Sequence, residues 1–222
     1  MSESVSLDFD IPFFVSLSPM RYIVITSPDF IPDEASMICR LFDSGLDVLH
    51  LRKPGSTAGA CARLLDGLPA AMLPHIVVHD HFQLCRDYSL GGVHLNRRNP
   101  SVPYFVSSAS GRYTVSASCH SITEAAERKT EADYVFLSPI FDSVSKQGYH
   151  SAYGPDTLRE AALNGIIDDR VIALGGVTLD VIPRLREWHF GGAAFLGDVW
   201  QHAGTDVFDH HARELSRVLK TI

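Results

Sequence analysis

Eight short runs of apolar, largely β-branched residues recur along the chain at a steady interval: 21–26, 47–52, 75–80, 92–96, 113–118, 134–140, 170–176 and 192–198. Amphipathic stretches of helical period separate most of them, at 33–44, 57–68, 121–132, 155–164, 178–189 and 205–220. The connections 81–90 and 97–112 are poorer and hold only short helices. Near-continuous apolar runs suit parallel strands covered on both faces, and regular β–α alternation implies a parallel sheet. Eight such repeats within 222 residues fit a (β/α)8 TIM barrel at the small end of its range, folded as a single α/β domain. A doubly wound open sheet is the alternative, but no G-x-G-x-x-G follows the first run.

A formal charge of −7 and a pI near 5.8 argue against non-specific nucleic-acid binding, and leave room for a local cation cluster facing a small anion. Cys39, Cys61, Cys85 and Cys119 form no C-x-x-C pair, so they read as reduced, mostly buried thiols of a cytoplasmic protein. Residues 1–19 form an N-terminal extension ahead of the barrel domain, 20–222. Its apolar stretch 11–17 follows acidic residues and is far too short for a membrane span, so neither a signal peptide nor a membrane anchor is expected. The extension is either loose, packed across one end of the core, or the product of an early start codon. A homodimer is an allowed assembly that no motif specifies.

In a barrel of this kind the active site lies at the C-terminal ends of the strands, which here carry polar residues almost everywhere. "LGGV" (174–177) and "LGD" (196–198) end strands seven and eight. Bare N–H groups at Gly175, Gly176 and Gly197 suit a phosphate there, although a tight turn also explains glycine pairs and Asp198 must point away. Arg52 and Lys53 offer a bidentate fork and a point charge to a second anion, or else a solvated basic turn. In "VVHDHF" (77–82), His79 and His81 are candidate metal ligands that need not converge. Asp80 suits a single oxygen ligand to Mg2+, or a helix cap. Ser121 and Glu124 form a capping box that places Ser118 and His120 on the loop before a helix, with His120 a candidate general acid/base. The long polar loop after strand six offers Ser143, Ser145 and Lys146 to an anion, with Gly148 as a bend or hinge.

Taken in order, "LHLRKPG", "VVHDHFQL", "GGVHLNRR", "VSASCHSITEA", "ADYVFLSPIFDSVSKQG", "VIALGGV" and "GGAAFLGDV" resemble the thiamine phosphate synthase family and its close relative, thiazole tautomerase. The resemblance spans Met20 to Trp200 and implies a (β/α)8 barrel. It also implies a transferase that joins hydroxymethylpyrimidine pyrophosphate to a thiazole phosphate with Mg2+ assistance. On that resemblance Arg52 touches pyrophosphate, Asp80 holds Mg2+, and Ser118 lies near the reacting centre. His50 and His79 stand at substrate-contacting positions. Ser143, Ser145 and Lys146 match a T-x-T-K loop that grips the substrates, and Gly176 with Gly197 binds the thiazole phosphate.

The departures are specific. R-E-K in the family is Arg52-Lys53-Pro54 here, and the second metal-binding aspartate of G-Q-x-D is Asn99. A glutamine before L-R is His50, and an asparagine before Asp80 is His79. Arg97 and Arg98 add cations that offset the lost metal ligand and lysine. The tautomerase, which needs neither Mg2+ nor pyrophosphate, uses a histidine at the position of His120, so it stands as the alternative activity. A non-catalytic binder of thiamine precursors is the third reading.

Overall fold

The computed structural model describes residues 19–142 and 153–221. Its strands are β1 (Arg21–Ile25), β2 (Val48–Leu51), β3 (Ile76–Val78), β4 (Gly92–Leu95), β5 (Thr114–Cys119), β6 (Tyr134–Leu137), β7 (Val171–Ala173) and β8 (Gly192–Phe195). All pair in parallel and in sequence order, and β8 returns to β1 through Arg21–Gly192 and Val24–Phe195, so the barrel is closed. The open-sheet alternative is therefore excluded.

Helices fill the connections as expected: α1 (Glu34–Asp43), α2 (Ala58–Asp66), α3 (Gln83–Asp87), α4 (Tyr104–Ser107), α5 (Ile122–Arg128), α6 (Pro155–Leu163), α7 (Ile182–Glu187), α8 (Gly197–Trp200) and α9 (Phe208–Lys220). The two weakly patterned connections do hold only α3 and α4. α9 buries Phe208, Ala212, Leu215 and Leu219 at helical spacing, each large apolar side chain worth about 1.5–3 kcal/mol when removed from water. The Leu219 carbonyl accepts from Met20 N at 2.9 Å, joining the last helix to the start of β1. No helix among the described residues is long and apolar enough to cross a membrane, and all four cysteines are free, three of them buried.

Strands six to eight end earlier than the apolar runs suggest. Pro139 has no N–H with which to continue the ladder beyond Leu137. After Ala173, Gly175 and Gly176 turn the chain at φ +93° and +63°, and after Phe195 the chain enters α8.

The barrel interior is divided in two. Toward β6, β7, β8 and β1 it is apolar, with Ile23, Ile25, Phe136, Ile172 and Ala194 packed together. Toward β2 to β5 it holds His50, His79, His94 and Ser116, all buried. Polar strand interiors are costly unless every group is bonded, so this half carries a hydrogen-bond network rather than hydrocarbon.

Candidate active site

Side chains two residues apart share a strand face. Arg52, Asn96, Ser118 and Ser138 therefore sit one layer above the inward-facing His50, His94, Ser116 and Phe136, at the C-terminal mouth. Asp80 and His120 stand in the loops beside them.

Arg52 and Lys53 part company. The Thr26 hydroxyl accepts from Arg52 N at 3.0 Å and donates to Arg52 O at 3.0 Å, pinning that backbone to the end of β1. The Arg52 guanidinium is half-buried and pairs with no carboxylate among the described residues. Burial pulls its pKa down, with Arg98 acting the same way and Asp80 opposing. Lys53 is neither a clamp nor a solvated turn. Its Nζ donates to Glu34 Oε1 at 2.6 Å and Oε2 at 2.7 Å, and to the Ser27 and Asp29 carbonyls at 2.9 and 2.8 Å. The pair is closed to water, so Lys53 staples the loop after β1 instead of meeting substrate.

Asp80 does not cap a helix. Its Oδ1 accepts from Asn99 Nδ2 at 2.8 Å and from Arg98 Nε at 3.3 Å, and its Oδ2 from Arg98 Nη2 at 3.0 Å. Asn99 also donates to the His79 carbonyl at 3.0 Å. Mg2+ needs an octahedron of oxygens, whereas this carboxylate is surrounded by N–H donors. The residue at the expected second-aspartate position supplies one of them. As arranged, the donor set does not fit a divalent cation; a guanidinium occupies the cationic role.

His81, at φ +54°, turns away and contacts the Ser56 carbonyl through Nε2 at 2.8 Å. It does not join His79, because β3 ends at Val78 and the left-handed backbone at His81 breaks the alternation that would set both on one face.

Ser118 Oγ lies 2.7 Å from His94 Nε2. The capping box forms, with Glu124 N donating to Ser121 Oγ at 3.0 Å. The glutamate reaches one residue further back than expected, however, accepting from His120 N at 2.8 Å. That contact fixes the His120 backbone. Its ring is exposed, with Nδ1 3.1 Å from the Ser138 carbonyl and 3.3 Å from the Ser138 hydroxyl.

The loop glycines have a structural requirement of their own. A Cβ on Gly175 would stand 2.9 Å from Pro139 Cα, and one on Gly176 2.4 Å from the Asp142 carbonyl oxygen. Both positions have the left-handed backbone that only glycine adopts freely. Gly197 opens α8, which has no side-chain cap. Asp198 does point away: its Oδ2 lies 2.7 Å from His211 Nε2.

His50 and His79 are both buried. They are 0% and 4% exposed, inside the barrel, His50 within β2 and His79 just after β3. His94 joins them, stacked on His79 with ring centroids 4.1 Å apart and planes 21° from parallel. The three come within mutual reach of one metal ion. An imidazole lone pair lies in its ring plane, however, and two nearly parallel planes meet far beyond the ~2.0–2.1 Å of a metal–nitrogen bond. Burial holds all three neutral, with His94 lowered to about 3 and the other two well below the usual histidine value. The strand sequences carried a usable signal for this network: His50, His94 and Ser116 all fall on inward positions, as the register pairs His94–Ser116 and Ser116–Tyr134 require.

Ser143, Ser145 and Lys146, with Gly148, lie outside the described residues, as do residues 1–18 of the extension. The best-outlined cleft, about 460 Å3 between α1 and α2 beside Phe30 and Arg63, is away from the mouth.

A closed parallel barrel with guanidinium, hydroxyl and imidazole groups gathered at the strands' C-terminal ends defines a (β/α)8-barrel enzyme. Residues 22–199 match the family model described as thiamine monophosphate synthase, and the chain belongs to that family. A thiamine phosphate pyrophosphorylase from Bacteroides thetaiotaomicron is 40% identical, with a TM-score of 0.79, covering 90% of this chain and 97% of that one. The thiamine-phosphate synthase of Geobacillus kaustophilus is 29% identical over 164 residues, 71% of this chain and 73% of the relative. A thiamine phosphate pyrophosphorylase from Pyrococcus furiosus, 20% identical with a TM-score of 0.71 and covering 90% of this chain and 95% of that one, shares the fold.

Proposed function

We propose that the protein is a thiamine-phosphate synthase, a transferase that joins hydroxymethylpyrimidine pyrophosphate to a thiazole phosphate and releases pyrophosphate. The observation that carries this reading is the half-buried Arg52 guanidinium, held by its backbone at the mouth and without a carboxylate partner among the described residues. A half-buried cation with no carboxylate partner among the described residues is held ready for an anion, and its attraction grows as water leaves. Negative charge develops on the departing pyrophosphate, so preorganised donors there lower the barrier. In this assignment Arg52 meets the pyrophosphate, and Arg98, 52% exposed and paired with Asp80, stands beside it. Ser118 faces the reacting centre. Gly175, Gly176 and Gly197 bind the thiazole phosphate through their backbone, and by the family resemblance Ser143, Ser145 and Lys146 contact the substrates.

Mg2+ is the metal the family resemblance implies, and Asp80 is the only carboxylate of the expected pair that this chain retains. No step is assigned to it, since Asp80 is already neutralised by Arg98. Four free thiols support a cytoplasmic setting.

Two features favour thiazole tautomerase as a second reading: the exposed imidazole of His120 and the internally paired Asp80. One paired assay separates them. Purified protein receives pyrimidine pyrophosphate with thiazole phosphate, with and without Mg2+, and separately a thiazole carboxylate phosphate tautomer. Formation of thiamine phosphate that falls at least tenfold in Arg52→Ala supports the synthase. Turnover of the tautomer alone, lost in His120→Ala, overturns it.

A further inference from the structure

The turn after β4 holds Arg98 in a fixed place. Asn96 Oδ1 accepts from the backbone N–H groups of Arg98 and Asn99 at 2.9 and 3.2 Å, and Asn96 and Asn99 exchange backbone hydrogen bonds at 3.1 and 3.0 Å. Asn96 Nδ2 and Asn99 Nδ2 both donate to the His79 carbonyl, at 2.9 and 3.0 Å. Two asparagines therefore clamp this turn to the end of β3. That end is tied in turn to β2, where His79 N donates to the Leu51 carbonyl at 3.1 Å. Arg52, Asp80 and Arg98 thus follow three neighbouring strands, β2, β3 and β4, along one arc of the mouth.

Arg98 meets Asp80 edge-on, through Nε at 3.3 Å and Nη2 at 3.0 Å. With Asn99 Nδ2 at 2.8 Å, three donors fill a carboxylate that offers roughly four acceptor sites. The opposite edge of the guanidinium, Nη1, takes no partner among the described residues, in a side chain that is 52% exposed. Asp80 is the only carboxylate on the arc, so two guanidiniums and one carboxylate leave it one net positive charge. A free diphosphate suits such a place, because its oxygens take both guanidinium forks. A Mg2+-bound diphosphate has lost two of its negative charges and brings a strongly hydrated cation against two others. The one carboxylate that would receive that cation is already bonded.

We propose that Arg98 stands in for the divalent cation, and that this protein takes its diphosphate substrate as the metal-free anion, so that Mg2+ opposes binding instead of enabling it. Arg98 is then a specificity-determining residue with two effects. Its Nε–Nη2 edge closes Asp80 to metal, and its Nη1 edge donates to the diphosphate beside Arg52. The choice of a diphosphate as ligand rests on the synthase reading; the exclusion of metal rests on the bonds around Asp80.

Isothermal titration of inorganic pyrophosphate into the full-length protein tests this without any turnover. Pyrophosphate should bind in EDTA. At a Mg2+ concentration that complexes about nine-tenths of the pyrophosphate, the apparent Kd should rise about tenfold, by mass action. Arg98→Gln should weaken binding in EDTA by about tenfold or more, the loss expected of one charge-assisted hydrogen bond. The same variant releases Asp80, and one carboxylate with substrate phosphates suffices for Mg2+, so there Mg2+ should strengthen binding. That reversal of sign would not follow if Arg98 merely shaped the turn. Should the variant not fold, the response of the unaltered protein decides the matter by itself. Pyrophosphate binding that requires Mg2+ overturns the proposal and leaves the synthase reading standing. No pyrophosphate binding in either condition overturns both. Binding opposed by Mg2+ without any formation of thiamine phosphate would sink the assigned reaction and uphold the proposal.

Discussion

Replacing Lys53 by methionine tests the correction that matters most for how the mouth is built. Lys53 and Glu34 have side chains 0% and 2% exposed, and burial pushes Glu34 up and Lys53 down in pKa while their mutual contacts oppose both shifts. Methionine keeps most of the stem volume but leaves the Glu34 carboxylate and the Ser27 and Asp29 carbonyls without their donor. Stranding one partner of a buried pair costs about 3–5 kcal/mol. For a chain of this size that corresponds to a fall in Tm of roughly 6–20 °C. Removing both charges, as Lys53→Met with Glu34→Leu, should recover most of the loss, because two apolar groups need no partner.

The loss should also depend on pH. Without Lys53 the Glu34 pKa rises further above its unfolded value. The variant's remaining stability is then fullest below the unfolded glutamate range and declines as pH rises through the folded pKa. Urea denaturation at pH 5 and pH 7 should show the larger deficit at pH 7. Activity should fall beyond the loss of folded protein, since the stapled loop carries Thr26, which pins Arg52. A single-variant cost below about 1 kcal/mol, against the 3–5 expected of a buried pair, refutes the reasoning. So does a double variant as unstable as the single one.

Arg52→Ala should lower kcat/KM for thiamine phosphate formation by about 10²–10³, the scale of one lost charge-stabilising donor; pyrophosphate release is the readout, and a change under threefold removes Arg52 from the site. Asn99→Asp supplies a second carboxylate beside Asp80 and should create Mg2+ binding detectable by isothermal titration, absent in the unaltered protein. Gly176→Ala places a Cβ 2.4 Å from the Asp142 carbonyl at φ +63°, and should cost about 1–3 kcal/mol of stability on strain alone, measured by thermal unfolding.

The barrel was legible in the primary structure because its signal is local and repeated. Apolar runs such as 21–26 and amphipathic stretches such as 205–220 state their periods without help from distant residues, and the structure places β1 and α9 there. The capping box at Ser121 was legible for the same reason. Its partner was not, because Glu124 chose the His120 N–H over the nearer one only once the loop was in place.

The site divides along the same line. Residue types and order alone determined the family, the (β/α)8 fold and the strand ends that could carry chemistry, since alternation and spacing are properties of the chain itself. Which cation faces the mouth was decided in three dimensions. Arg52 and Lys53 are neighbours in sequence, and only packing against Glu34 sends Lys53 inward while Arg52 stays at the rim. Asp80 read as a metal ligand until Arg98 and Asn99, brought up from the end of β4, filled its lone pairs. His50, His79 and His94 looked like separate polar residues at strand ends. Closing the sheet into a barrel put their rings in contact, because inward positions of adjacent strands share one interior. Burial and hydrogen bonding depend on who the neighbours are, and only the tertiary structure chooses them.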